Sequence, residues 1–186
     1  MTEETGMTER DRDERLRVLI AKEDIRECLA RYARGLDRHD AELVVSVYAP
    51  GARDEHGAFS GTPEELARWG NEEHERHWTS HSHLLTTSTI EVNGSAAASE
   101  TYAMWVQKRR DAPRVDVGGG RYLDRLEERD GQWRIVSRTL VVDWVFEADS
   151  VDRRDVQGRY PNGTWDRTDP SYALFSALWE EETPAS

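Results

Sequence analysis

The chain is short of cysteine, of positive charge and of long apolar runs, and each shortage excludes a class of protein. Its one cysteine, Cys28, excludes an internal disulfide and any cysteine-based zinc cluster. Lysine and arginine number 25 against 37 aspartate and glutamate residues, which gives a net charge of −12. This negative charge would repel nucleic-acid phosphates and an anionic membrane surface, so we expect neither partner.

The lack of long apolar runs bears on location. No stretch approaches the roughly 20 apolar residues that a membrane-spanning helix needs. The first seven residues carry no basic and apolar signal sequence, so we expect a cytosolic protein. What the chain does have, 186 residues with seven tryptophans and six tyrosines, suits one domain with a hydrophobic core.

Helical periodicity dominates the first half of the chain. The charged residues 1–11 lack it and predict a loose arm. Apolar residues at helical spacing predict a short helix over 13–20, a second helix ending near Asp37, a third beginning after Asp40, and a fourth from Pro63 to about Trp78. Thr62 and Glu65 match the capping box of that fourth helix. Residues 53–59 predict a short strand or hairpin.

Strand-like segments dominate the second half, over residues 81–92, 96–108, 119–128 and 132–146. Asn93-Gly94 and Asp130-Gly131 predict tight hairpins between consecutive strands. Gly118-Gly119-Gly120 precedes a strand and not a helix, which indicates a bulge that lets the sheet curve and not a phosphate-binding loop. Helices first and strands later indicate an α+β fold, and a further helix is predicted over 170–182.

The segment Thr79–Gly94 is the most informative stretch. It predicts a strand with histidines at its start, and alternation places His81 and His83 on the same face. If that face lines a pocket, one of them is suited to proton transfer, because histidine titrates near neutral pH.

Several strings together resemble a known family. They are Asp24–Asp37, His83 at the head of a strand, Gly120-Arg121-Tyr122 and Asp130–Arg138. In this order they are similar to the SnoaL-like branch of the nuclear transport factor 2-like superfamily, over residues 12–146. The resemblance implies a cone-shaped barrel in which a strongly curved, mostly antiparallel sheet wraps around N-terminal helices and leaves an apolar pocket. Residues 1–11 would be a flexible arm and 147–186 a C-terminal extension.

The resemblance also implies an activity. Scytalone dehydratase, bile acid 7α-dehydratase and hexachlorocyclohexane dehydrochlorinase are cofactor-free lyases of this branch. Asp37 and His83 match their catalytic dyad, Tyr32 matches a pocket tyrosine, and Arg138 matches a pocket arginine. We expect Tyr32 to act with the dyad, and Arg138, Tyr48 and Trp105 to bind substrate. Thr86-Thr87 departs from the pattern, because many relatives have an asparagine there, and the departure bears on substrate identity.

The same resemblance implies a hydrophobic cyclic or polyketide-like substrate, no cofactor, and a homotrimer. Val141, Trp144 and Phe146 near the end of the last strand suggest a face that a partner subunit covers. The activity could instead be that of an isomerase or cyclase with the same dyad, or the protein could bind a small molecule without catalysis.

Each candidate residue also has a structural interpretation. His83 could be a buried histidine bonded to a backbone carbonyl, Asp37 a helix cap, Tyr32 a core residue, and Arg138 a surface ion-pair partner. A separate possibility is zinc. His74, His77, His81 and His83 are close in sequence, but no nearby carboxylate completes a known ligand spacing, so we expect no metal.

Overall fold

The computed structural model describes residues 7–151 and 159–180. Its helices are α1 (Glu9–Asp37), α2 (Ala41–Ser46), α3 (Pro63–His77) and α4 (Pro170–Glu180). Its strands are β1 (Tyr48–Glu55), β2 (Ser60–Gly61), β3 (Trp78–Asn93), β4 (Ala96–Arg109), β5 (Arg114–Arg129) and β6 (Gln132–Asp149). The predicted α+β class with a C-terminal helix is confirmed. Within the described residues no helix is both long enough and apolar enough to cross a membrane.

One long helix replaces the two helices predicted over 13–20 and 25–36. The intervening residues 21–24 lack apolar periodicity, yet they contain no glycine or proline, so the helix continues through them. Thr8 caps the helix in a reciprocal bond with Asp11. The predicted arm therefore ends earlier than residue 11. Residues 1–6 of that arm, 152–158 of the extension and 181–182 of the last predicted helix lie outside the described residues.

The other helix starts agree with their sequence signals. The Asp40 carboxylate accepts the Leu43 N–H at 3.1 Å at the start of α2. Thr62 and Glu65 form the predicted capping box of α3, with Pro63 in its first turn. The strand or hairpin predicted over 53–59 is a hairpin, in which β1 begins earlier, at Tyr48, and pairs antiparallel with β2. Proline and glycine at 50 and 51 lie where the register of β1 against β6 shifts.

The sheet has the order β2-β1-β6-β5-β4-β3 among the described residues. β1 pairs parallel with β6, and the other neighbours pair antiparallel. Gly94 and Gly131 occupy the two predicted hairpins with φ of 60° and 71°. The curved sheet stays open and packs on α1, mainly through β3 and β6, which gives the predicted cone. The core lies between α1 and the sheet.

Three consecutive glycines in β5 allow neighbouring side chains and backbone to lie very close to the strand. A Cβ on Gly118 would lie 2.1 Å from the Trp105 indole, and a Cβ on Gly119 would lie 2.2 Å from the Trp144 indole. A Cβ on Gly120 would lie 2.1 Å from the Val141 carbonyl oxygen. The register of β5 against β6 shifts between Gly119 and Gly120, so the predicted bulge is confirmed.

Gly120→Ala should therefore destabilise the fold. Its Cβ meets backbone and not a movable side-chain end, so we expect the free energy of unfolding to fall by about 1–3 kcal/mol. Urea denaturation measures this change. Gly70→Ala is the control, because its Cβ meets only the Leu36 side chain at 3.9 Å, and alanine favours a helix by up to about 1 kcal/mol. Equal stability of wild type and Gly120→Ala would show that the bulge tolerates a side chain.

Candidate active site

A cavity of about 210 Å³ lies between α1, α3 and the concave face of the sheet. Its apolar and aromatic lining comes from Tyr32, Leu36, Leu66, Trp69, Trp78, Trp105, Tyr122 and Leu140. Its polar lining comes from His56, Glu73, His74, His83 and Gln107. A largely apolar wall with a few polar groups is typical of a site for a small organic molecule.

His83 and Asp37 form a hydrogen-bonded pair at the wall of this cavity. Asp37 is the last residue of α1, and His83 lies near the start of β3. The His83 Nδ1 lies 2.7 Å from the Asp37 Oδ1, and the His83 backbone N–H donates to both carboxylate oxygens at 3.0 and 3.1 Å. The side chains are 9% and 13% exposed. The carboxylate thus orients the imidazole and leaves Nε2 as the ring nitrogen for a substrate.

Tyr32 lies beneath the same cavity, supported by Arg138. The Arg138 guanidinium stacks 3.9 Å from the Tyr32 ring centre and 4.3 Å from the Tyr122 ring centre. It is fully buried and bonds both oxygens of Asp124, at 2.7 and 2.9 Å. Burial raises the pKa of the Tyr32 hydroxyl well above its ordinary value, so this group is a neutral donor.

The predicted site residues thus fall into two sets. Tyr32, His83 and Trp105 line the cavity, and Trp105 lies against Gly118. The other three contact lining residues from behind. Asp37 bonds His83, Arg138 stacks on the Tyr32 and Tyr122 rings, and the Tyr48 ring packs edge-on against the Tyr32 ring at 6.0 Å between ring centres.

Two functional candidates were missed in the sequence, Asp54 and His56. The Asp54 Oδ1 lies 2.5 Å from the His56 Nδ1, and the Tyr48 hydroxyl donates to the other oxygen. His56 lines the cavity. The sequence did contain a signal for this pair. Asp54 and His56 are two residues apart in an extended segment and therefore share a face, as His81 and His83 do.

Three imidazoles pack together as a stack beside the dyad, and one of them, His74, also lines the cavity. His74 lies 3.9 Å from His81 between ring centres, His39 lies 5.5 Å from each, and Trp165 covers His39 at 4.2 Å. The sequence did not predict His39 as a member of the stack. His39 follows α1 and has a left-handed backbone conformation, φ 51°, which directs its ring to the other two imidazoles.

Two overlapping groups are close enough to hold a metal ion, His39-His74-His81 and Asp37-His81-His83. In the first group, His39 lies at 22–27° to the other two rings. Among the described residues, the His39 Nε2, the His74 Nδ1 and the His81 Nδ1 are buried and have no hydrogen-bond partner. In the second group, Asp37 and His83 are already bonded to each other. The first group therefore offers ring nitrogens that no described residue binds, and the expectation of no metal stays a prediction. His77, which the sequence grouped with these histidines, is 51% exposed.

The C-terminal segment binds the end of α1, behind the dyad. The Tyr172 hydroxyl donates to Asp40 at 2.8 Å, and Arg34 donates to the Ser171 hydroxyl at 2.9 Å. Arg38 lies 3.5 Å from Asp169. These contacts fix the turn that follows Asp37.

Most of the chain, including the dyad residues, matches a known protein family. Residues 17–139 match the model of the SnoaL-like domain family. The chain belongs to the SnoaL-like family. No curated protein matches the sequence. The predicted family is thus confirmed over most of the cone.

Several solved structures share the fold of this chain at low sequence identity. A candidate scytalone dehydratase from Novosphingobium aromaticivorans is 18% identical, with a TM-score of 0.61, and covers 73% of this chain and 91% of its own. A hexachlorocyclohexane dehydrochlorinase from Novosphingobium barchaimii is 16% identical, with a TM-score of 0.66, and covers 73% and 95%. A protein of unknown function from Mycobacterium tuberculosis is 22% identical, with a TM-score of 0.60, and covers 94% and 93%. These likenesses establish the fold.

Asp124→Asn should destabilise the protein strongly, because it leaves the buried Arg138 guanidinium without a countercharge. Breaking a buried pair from one side costs about 3–5 kcal/mol, and urea denaturation measures it. Glu100→Gln is the control, since its 3.2 Å pair with Arg121 is 28–38% exposed and such pairs contribute at most about 1 kcal/mol. Similar losses in the two variants would contradict the special role of the buried pair.

Acid should destabilise the fold through the imidazole stack. Burial lowers the pKa of His74 to about 2 and those of His39 and His81 to about 4. The unfolded chain, with ordinary histidine pKa near 6.5, binds protons that the folded protein does not, so stability falls as pH drops from about 6.5 to 4. We expect a loss on the order of 1 kcal/mol per pH unit for each histidine.

Urea denaturation at pH 7 and pH 5 tests this effect. His74→Phe should lose less stability between the two pH values than wild type, because phenylalanine keeps a ring in the stack and takes up no proton. His77→Phe, an exposed change on the same helix, should keep the wild-type pH dependence. If His74→Phe loses as much stability between pH 7 and pH 5 as wild type does, the buried His74 imidazole does not contribute to the acid sensitivity.

Proposed function

We propose that this protein is a cofactor-independent lyase of the dehydratase type. Its substrate is a hydrophobic cyclic or polyketide-like small molecule that carries a carbonyl group. The observation that carries the proposal is the 2.7 Å bond between Asp37 and His83 at the wall of a mainly apolar cavity. Family membership supports it, and two proteins of the same fold have names that denote elimination of water and of hydrogen chloride.

The proposed reaction begins at carbon. The His83 Nε2 takes a proton from the carbon beside the carbonyl, and Asp37 stabilises the imidazolium that forms. The electron pair of the broken C–H bond passes into an enolate, whose negative charge lies on the carbonyl oxygen. The enolate then re-forms the carbonyl and a C=C bond as the bond to the leaving oxygen breaks. That oxygen departs as hydroxide, accepts a proton and becomes water. Tyr32, a neutral phenol, donates to the carbonyl oxygen on which negative charge develops.

The remaining predicted residues serve this arrangement in different ways. Trp105 offers an indole surface to the substrate. Arg138 acts as a positioning residue, since its guanidinium stacks on Tyr32. Tyr48 is also a positioning residue, because its hydroxyl bonds Asp54 behind the cavity.

A homo-oligomer is part of the proposal, and a trimer is what the family resemblance favours. The end of β6 exposes large apolar side chains on both faces of the strand: Val142 at 52%, Trp144 at 43%, Val145 at 61% and Phe146 at 52%. Exposed apolar area of this kind is typical of a surface that another subunit covers.

A panel of cyclic β-hydroxy ketones in D₂O tests the function. Mass spectrometry follows deuterium uptake at the carbon beside the carbonyl, and ultraviolet absorbance follows the conjugated enone. We expect His83→Ala to lose both signals by about 10²–10⁴-fold, the usual contribution of a general base. His77→Ala, with its exposed imidazole, should keep both, and circular dichroism verifies the fold of each variant.

The same assay separates the alternatives. Deuterium uptake without elimination would indicate an isomerase or cyclase that uses the same dyad. Binding of panel compounds with neither signal would indicate a non-catalytic binding protein. A folded His83→Ala variant with wild-type turnover would falsify the general-base role.

A further inference from the structure

We propose that His56 and Asp54 form a second proton-transfer pair in the same cavity, and that His56 protonates the oxygen that leaves. The inference rests on the proposed function and extends it, because it assigns the acid that the elimination of hydroxide requires. His83 then works at the carbon, and His56 works at the leaving group.

The geometry of the second pair parallels that of the first. The Asp54 side chain is fully buried, and its Oδ1 lies 2.5 Å from the His56 Nδ1. The Tyr48 hydroxyl holds the other carboxylate oxygen. The imidazole is therefore fixed at Nδ1, and its Nε2 is the nitrogen left for a substrate. His56 lines the cavity and is 12% exposed at its side chain.

The contacts of Nε2 favour a chemical role over a structural one. Its protein neighbour is the Tyr32 hydroxyl at 3.5 Å, at the outer limit of a hydrogen bond. A histidine that served only to satisfy a buried carboxylate could point its second nitrogen at any strong internal partner. Here that nitrogen has a weak partner and faces the tyrosine that we assign to the substrate carbonyl.

Arg138 lies beside Asp54 in the sheet but pairs with a different carboxylate. Arg138 pairs with Asp54 in the register of β1 and β6, yet its guanidinium bonds both oxygens of Asp124. Asp54 is therefore left with a neutral hydroxyl and an imidazole. Asp54 thus orients the imidazole through Nδ1, and a proton carried on Nε2 can pass to a substrate bound in the cavity.

The topology brings the two pairs to one substrate from different parts of the sheet. His56 follows β1 and His83 lies on β3, and β6, β5 and β4 separate those strands. The curvature of the sheet brings both imidazoles into one lining. An elimination needs a base at one carbon and an acid at the oxygen of the next carbon, which two separated groups supply.

Protons balance in this scheme. The imidazolium of His56 gives its Nε2 proton to the leaving oxygen as the C–O bond breaks, and water departs. His83 has meanwhile taken the proton from carbon. One turnover thus ends with His56 neutral and His83 charged, and exchange with solvent restores the starting state.

The dependence on the leaving group tests this assignment. We expect His56→Gln to lower elimination of hydroxide from a cyclic β-hydroxy ketone by about 10²–10⁴-fold. Deuterium uptake beside the carbonyl should persist, because His83 is intact. With the matching β-chloro ketone, whose chloride needs no proton, the same variant should eliminate at close to the wild-type rate. Asp54→Asn should show the same pattern, and His77→Gln should match wild type on both substrates.

The outcomes separate the two proposals. Equal losses of deuterium uptake and of both eliminations in His56→Gln would show a merely structural role and overturn this inference. Unchanged elimination of hydroxide would overturn it as well, while the base assignment to His83 would stand. If wild type itself neither takes up deuterium nor eliminates from any panel compound, the proposed function fails, and this extension fails with it.

Discussion

The structure depends on where α1 ends. Asp37 is its last residue, and a carboxylate at a helix C-terminus is unfavourable, because the backbone carbonyls there carry partial negative charge. Among the described residues, the hydrogen bonds that compensate this carboxylate come from β3, through the His83 N–H and the His83 ring. His81, two residues earlier, binds the last turn as well, with its Nε2 3.0 Å from the Leu36 carbonyl oxygen. The catalytic candidates are thus held by the contact that docks the helix on the sheet.

The same docking explains why so many side chains collect behind the dyad. The turn after Asp37 places His39 against His74 and His81, and Trp165 closes the stack. Burial keeps these imidazoles neutral at physiological pH, so they add no charge that would compete with His83 for Asp37. The C-terminal segment therefore supports the dyad through packing.

The sequence predicts local features well and long-range ones poorly. Caps such as Thr62, hairpin glycines such as Gly131 and the alternation of His81 and His83 depend on neighbours in the chain, and the structure agrees with them. The sequence predicted α1 as two helices, because residues 21–24 between them lack apolar periodicity. The pairing of Asp54 with His56 needed only local alternation, but its place in the cavity depends on the curvature of the whole sheet. The pairing of Asp37 with His83, which lie 46 residues apart in the chain, could be predicted only from the family resemblance.

The apolar and polar parts of the cavity wall contribute differently to the selection of a substrate. Thr86 and Thr87, where the family resemblance implies an asparagine, are exposed in a bulge of β3 and do not contribute to the lining. The walls that remain are mainly aromatic and aliphatic, and such walls distinguish molecules weakly, by about 1–3 kcal/mol for each methylene. Polar groups discriminate more strongly, since a substrate without the matching atom leaves them unpaired. The spacing between a carbonyl and a leaving oxygen, measured against the two imidazoles, should therefore decide which ring systems react.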